Sequence, residues 1–198
     1  MSDVKTLYNQ LTNEAAQELL KMSVVAFNLG KPAVLDDDLY VTSADMANGA
    51  YTLADTAPDM ARNIRITITQ QGSANDTHGT VTIVGKDILG NDIEEVIEPD
   101  ANTTTDGEKA FASISSITQA GWEMDTTADK IKIGTGNAIG LPVALSTTDN
   151  ILLCTLNRSV QSHTASVGDP GSVAETTVDA SAGTYNASKV MQVLVRPE

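Results

Sequence analysis

The chain carries a single cysteine, Cys154, among its 198 residues, so no disulfide can form within it. Cys154 stands in the run Ile151-Leu152-Leu153-Cys154-Thr155-Leu156, where a thiol reads as a small buried hydrophobe. Aromatic residues make up only 4%, with one tryptophan, Trp122. The core must therefore be aliphatic, and there are few ring faces on which to stack a sugar or a base. Basic residues are also scarce, 12 against 26 acids, for a net charge of −14. Such a surface repels a phosphate backbone, which argues against nucleic acid as a partner. The acidity serves solubility, and it would equally keep copies apart when crowded on a surface. No apolar run approaches the roughly 18 residues of a membrane-spanning helix, so no membrane partner is expected. The first ten residues, MSDVKTLYNQ, lack a basic stretch followed by an apolar one, so synthesis in a cytoplasm without secretory processing is expected.

Chemistry-bearing patterns are equally thin. A zinc site gathers three or four N, S or O ligands in one place. This chain offers one cysteine and two distant histidines, His78 and His163, each in a polar tract that reads as solvent-exposed loop. Neither a G-x-S-x-G elbow, a G-x-x-x-x-G-K-[ST] phosphate loop, nor a dinucleotide-binding G-x-G-x-x-G is present. Gly134-Thr135-Gly136 comes nearest, but Ile139-Gly140-Leu141-Pro142 follows where a helix should begin, so these glycines read as sheet punctuation. Asp36-Asp37-Asp38 reads as a solvated loop. Asp87-Ile88-Leu89-Gly90-Asn91-Asp92 sets two carboxylates around a glycine, yet apolar Ile88 and Leu89 fall where calcium ligands would be needed. The segment is expected to be a hairpin turn, with Asn91 and Gly90 supplying positive φ. No catalytic residue, cofactor or metal is expected.

What the chain has in quantity is β-forming sequence: 24 threonines, many valines and isoleucines, and 14 glycines spaced among Asn and Asp. Ile64, Ile66 and Ile68 alternate with Arg65, Thr67 and Thr69, the period of a half-buried strand. Thr80–Gly85 and Asp92–Ile97 predict a hairpin, with Glu94-Glu95 breaking the alternation at a bulge or an edge. Further strands are expected at 109–114, 117–121, 130–133, 151–156, 173–178 and 189–195, with short ones on either side of an Asn48-Gly49 turn. Many strands with no helices between them argue for an all-β, antiparallel β-sandwich or jelly-roll-like domain. Residues 1 to about 30 differ: Leu7, Leu11, Ala15, Leu19 and Met22 recur at helical spacing, with Gly30 and Pro32 as a stop. The expected division is an N-terminal amphipathic helical arm at 1–32 and a main β-sandwich domain at 33–160. A loop and C-terminal β-hairpin at 161–198 would complete the β domain. The arm's stripe needs a cover, either its own β domain or another protein. In the second case Leu7, Leu11, Leu19 and Met22 are the partner-binding residues.

Between residues 45 and 155 the order of segments resembles that of a known family. Ala61-Arg62-Asn63-Ile64-Arg65-Ile66-Thr67-Ile68-Thr69 is followed by Gly79-Thr80-Val81-Thr82-Ile83-Val84-Gly85-Lys86-Asp87, Leu89-Gly90-Asn91 and Glu95-Val96-Ile97. Then come Gly107-Glu108-Lys109-Ala110-Phe111, 114–117, Gly121-Trp122, and Lys130-Ile131-Lys132-Ile133-Gly134 with Ile139-Gly140-Leu141-Pro142. The pattern is similar to that of tailed-bacteriophage virion structural proteins of the capsid decoration, cement or head-fibre type. The resemblance implies a non-enzymatic protein, often a homotrimer, bound to the major capsid protein on the outer surface of the virion. Two alternatives remain in view: a tail-tube or connector subunit, and a module that binds host-surface glycans.

Overall fold

A computed structural model describes residues 24–72, 75–169, 171–180 and 185–196. These residues form strands and one short 3-10 turn, Thr148–Asn150, and among them there is no α-helix. In chain order the strands are β1 (Val25–Gly30), β2 (Val41–Asp45), β3 (Gly49–Ala50), β4 (Arg62–Thr69), β5 (Thr80–Lys86), β6 (Asp92–Ile97) and β7 (Thr104–Phe111). They continue as β8 (Ser113–Ala120), β9 (Lys130–Gly140), β10 (Ile151–Leu156), β11 (Ser159–Gln161), β12 (Thr164–Val167), β13 (Thr176–Asp179) and β14 (Met191–Val195). Every pairing is antiparallel.

Three sheets result. A central sheet runs β12-β13-β9-β4-β7, with β2 also paired to β9. A second runs β3-β8-β5-β6, and a third β1-β14-β10-β11. The second sheet faces one part of the central sheet across an aliphatic core: Ile64, Ile66 and Ile68 of β4 and Ile131 and Ile133 of β9 meet Val81, Ile83, Ile114 and Ile117. The third sheet encloses a separate core, where Ile139 and Val178 of the central sheet join Ile151, Cys154, Leu156, Met191, Val193 and Val195. Strand β9 thus serves both cores, Ile131 and Ile133 in the first and Ile139 in the second. Each fully buried aliphatic side chain contributes roughly 1.5–3 kcal/mol, and the few aromatic rings add to them, Tyr40 and Phe111 in the first core and Tyr185 in the second.

The hairpin expected around residues 87–91 forms, β5 pairing β6 in unbroken register from Val81↔Ile97 to Lys86↔Asp92, with the positive φ at Gly90 and none at Asn91. Several expectations are corrected. Residues 25–30 are a strand, not the end of a helix: Phe27 and Leu29 alternate onto the second core, and a two-residue period wins over helix propensity once a partner edge on β14 is available. The arm itself, with Leu7, Leu11, Leu19 and Met22, lies outside the described residues for all positions up to 23. Gly134 and Gly136 punctuate nothing, because they lie inside β9. A Cβ at Gly134 would sit 2.0 Å from the Asp36 carbonyl oxygen, and one at Gly136 2.2 Å from Asn63 Oδ1. Glycine is there so that another backbone or side chain can come close. The C-terminal hairpin of 173–178 with 190–195 does not form: β13 pairs β12 and β9, while β14 pairs β1 and β10. Nor do the strands beside Asn48-Gly49 pair with each other, since β2 joins β9 and β3 joins β8.

Candidate interaction surfaces

The turn at 87–91 is the first place to look for a cation, and its carboxylate is already spoken for. Asp87 Oδ1 accepts the backbone N–H groups of Leu89 and Asn91, each at 2.9 Å, and Oδ2 accepts the Asn91 side-chain amide at 2.9 Å. Asp87 is 4% exposed, and Gly90 sits at φ +85°, as the turn requires. Lys86 pairs with exposed Asp92 at 2.6 Å. The acidic centre is turn chemistry.

Asp36, Asp37 and Asp38 bring their carboxylate oxygens within 4.8 Å of one another. Their backbone is docked on β9: the Asp36 N–H donates to Thr135 Oγ1 and the Asp36 carbonyl accepts from the Thr135 N–H at 2.7 Å. A hydrogen bond with the Asp36 side chain raises the Asp38 carboxyl above its ordinary range, aided by burial and by the Asp36 charge. Lys132 Nζ stands 3.7 Å from Asp37. This segment is a solvated loop, as the sequence suggests, but not a free one, since its backbone is fitted against the central sheet.

His78 is likewise not the exposed histidine expected from its polar tract. Its Nε2 lies 2.7 Å from Oδ2 of fully buried Asp129, whose Oδ1 accepts the Gln71 N–H. The pair ties the 70–79 loop to the start of β9. His163 is half-buried between β11 and β12. Trp122 lies outside the strands and packs beside the first core, its ring nitrogen buried without a partner. Cys154 is fully buried, and burial pushes its thiol up to about 11, as suits a packing residue.

Two polar sites escape pattern reading. Arg62 is fully buried where the two cores meet: its guanidinium donates to both oxygens of Asp59 (2.7 and 3.0 Å), to the Ala33 carbonyl (2.7 Å) and to the Gly136 carbonyl (3.2 Å). The Tyr185 ring lies 5.6 Å from it. In sequence Arg62 looks like one more polar position beside a strand.

The other is Glu95. Ile93, Glu95 and Ile97 share the inward face of β6, and it is Val96 that is exposed, at 55%. The alternation is therefore kept, with a glutamate in an apolar slot, and β6 is the edge of its sheet. Glu95 Oε1 accepts the N–H groups of Glu108 (2.5 Å) and Lys109 (3.3 Å) on β7, the edge of the central sheet, while Oε2 is buried without a partner. Burial raises this carboxyl above its ordinary value of 4.5, against the opposing pull of the two backbone donors. Lys109 Nζ donates to the Glu94 carbonyl across the same seam. A groove of about 460 Å³ runs along it, lined by 94–98 and 105–109.

The third surface is the outer side of the β1-β14-β10-β11 sheet. Ala26, Leu194 and Leu153 stand in cross-strand register there, and neither leucine belongs to either core. Leu152 and Val160 nearby are 40% and 65% exposed.

Fold and surfaces together define an all-β protein of antiparallel sheets whose polar devices fasten its own strands. No family model, no curated protein and no solved structure matches the chain. Among the described residues, no helix is long and apolar enough to cross a membrane.

Proposed function

We propose that this chain is a capsid decoration protein of a tailed bacteriophage, a jelly-roll-like brace that binds the outer surface of an assembled shell. The observation that supports it most is where the family-like segments fall. The stretches from Ala61 to Leu141 that carry the resemblance supply the cores of β4 to β9, the strands that enclose the first core and begin the second. The resemblance thus follows one packed unit and is not scattered over unrelated loops. A surface of net charge −14 suits a protein held at high density, because neighbouring copies repel unless a lattice holds them. Stabilisation would follow from mass action: a ligand that binds only the expanded shell makes that shell harder to disrupt. Weak contacts repeated over a lattice add through avidity. The partner is the major capsid protein, the oligomer a trimer, and no catalysis is assigned.

The test mixes the purified full chain with undecorated heads. Co-sedimentation and a higher disruption temperature of the heads are expected. A chain that stays in the supernatant overturns the reading, and rings or tubes formed without heads would replace it with the tail-tube subunit. Specific capture on a glycan array would replace it with a host-binding module.

A further inference from the structure

Two sheet edges run side by side without a backbone ladder between them. β6 closes one side of the β3-β8-β5-β6 sheet and β7 one side of the central sheet, and among the described residues no strand pairs with the outer edge of β6. Side chains join the edges instead. Glu95 accepts the Glu108 and Lys109 N–H groups, and Lys109 Nζ donates to the Glu94 carbonyl. That last bond shows which backbone groups face outward. In an antiparallel ladder a residue directs its N–H and C=O to the same side, and alternate residues agree, so Val96 faces outward with Glu94. Further along β7 the edge is taken, since the Ala110 N–H donates to the Ala174 carbonyl at 2.8 Å. The groove of about 460 Å³ lies before that point.

Its charge is one-sided. Five of its ten lining residues are acids, Glu94, Glu95, Glu98, Asp106 and Glu108, against one base, Lys109. That is far denser than 26 acids among 198 residues, so the groove is more than a sample of an acidic surface. Asp106 is paired with Arg65, and Lys109 is shared with Glu175 at 3.5 Å. Glu94, Glu98 and Glu108 are exposed, and among the described residues they make no ion pair. Glu95, only 9% exposed, adds a carboxyl group whose Oε2 has no donor. Val96, 55% exposed, stands between Glu94 and Glu98, so this face reads acid, apolar, acid.

We propose that the groove receives an extended segment of another protein, one that pairs with the free edge of β6 and sets basic residues opposite Glu94 and Glu98 and an apolar one opposite Val96. Backbone bonds to an open edge supply affinity in this mode, and the alternating side chains supply specificity. A cation entering the groove also brings positive charge to Glu95, which has an acceptor to spare. A second copy of this chain is disfavoured as the occupant, because β6 against β6 would set Glu94 against Glu98. Such docking does not depend on the capsid reading, and no capsid enters its test.

The experiment titrates the full chain at low salt with a synthetic peptide repeating Lys-Thr-Val-Thr, followed by calorimetry and by amide NMR shifts. Binding is expected, with shifts centred on 94–98 and 105–109. The triple variant Glu94→Gln, Glu98→Gln, Glu108→Gln should weaken it about tenfold. Asp36→Asn, Asp37→Asn and Asp38→Asn together remove the same formal charge elsewhere and should change it less than about twofold. The same peptide N-methylated at alternate backbone nitrogens stays basic but cannot pair, and should not bind. Equal losses in the two triple variants, or equal binding of the N-methylated peptide, would reduce the effect to bulk charge and overturn the proposal. No binding at all would leave the acids of β6 as protection against edge pairing, and would overturn it too.

Discussion

Among the described residues Arg62 is the largest side chain that is completely buried, and its position explains why it is charged. Four acceptors converge on it from the 33–36 segment, the 59–62 turn and β9, so one guanidinium closes backbone carbonyls that the two cores would otherwise strand. Arg62→Ala should lower unfolding stability by about 3 kcal/mol in urea titration, because it leaves those acceptors and part of Asp59 unpaired. A loss below about 1 kcal/mol would show that water replaces the guanidinium. Glu95 behaves oppositely. Its folded-state carboxyl is raised above 4.5 by burial, so the folded chain holds this proton more tightly than the unfolded chain. Its contribution is fully present below the ordinary value and is lost as pH rises through the raised one. Glu95→Gln cannot titrate. Relative to the native chain it should gain stability as pH climbs through that window and level off above it. Denaturation curves at stepped pH check this, and a difference that stays flat with pH would remove the buried-carboxylate account.

At the scale of elements, the strands were legible where the sequence alternates. Ile64, Ile66 and Ile68 announce β4, and the Asp87–Asp92 segment announces its hairpin, because both depend on neighbours in sequence. The glycines of β9 were misleading for a physical reason. In composition a glycine that allows a turn and a glycine that allows close approach look alike, and only the partner backbone tells them apart. Gly134→Ala tests this: the added methyl meets the Asp36 carbonyl oxygen at 2.0 Å, so the 36–38 segment must lift from β9. We expect about 2–3 kcal/mol of destabilisation by thermal or chemical melting, against a gain of about 0.5–1 kcal/mol if the site were an ordinary strand interior where alanine is preferred to glycine. Strand partners were not legible either. β13 and β14 look like a hairpin, yet they enter different sheets that face each other across the second core, to which Val178 on one side and Met191, Val193 and Val195 on the other all belong.

Over the whole molecule, the two cores share β9 and meet at Arg62, so they should unfold together. Trp122 packs on the first core and reports it by fluorescence, while circular dichroism reports all strands. Val193→Ala, buried in the second core, should cost about 1–3 kcal/mol and shift both signals by the same amount. A Trp122 midpoint that stays put while the dichroism midpoint moves would mean two independent units. The capsid reading belongs at this scale too, since binding to a lattice is a property of the whole surface and is tested on intact heads.

The sequence by itself determined what local chemistry and counting control: an aliphatic β protein without disulfides, strongly acidic, with a self-satisfied turn where a cation site might have been sought. It also placed Leu7, Leu11, Leu19 and Met22 at helical spacing. Only the tertiary structure decided which strands are neighbours, that Arg62 and Glu95 are buried at seams, and that His78 is paired. The division has a simple cause. Periodicity and turn chemistry act over a few residues, whereas burial of a charge and choice of strand partner depend on segments that meet only after the chain has folded.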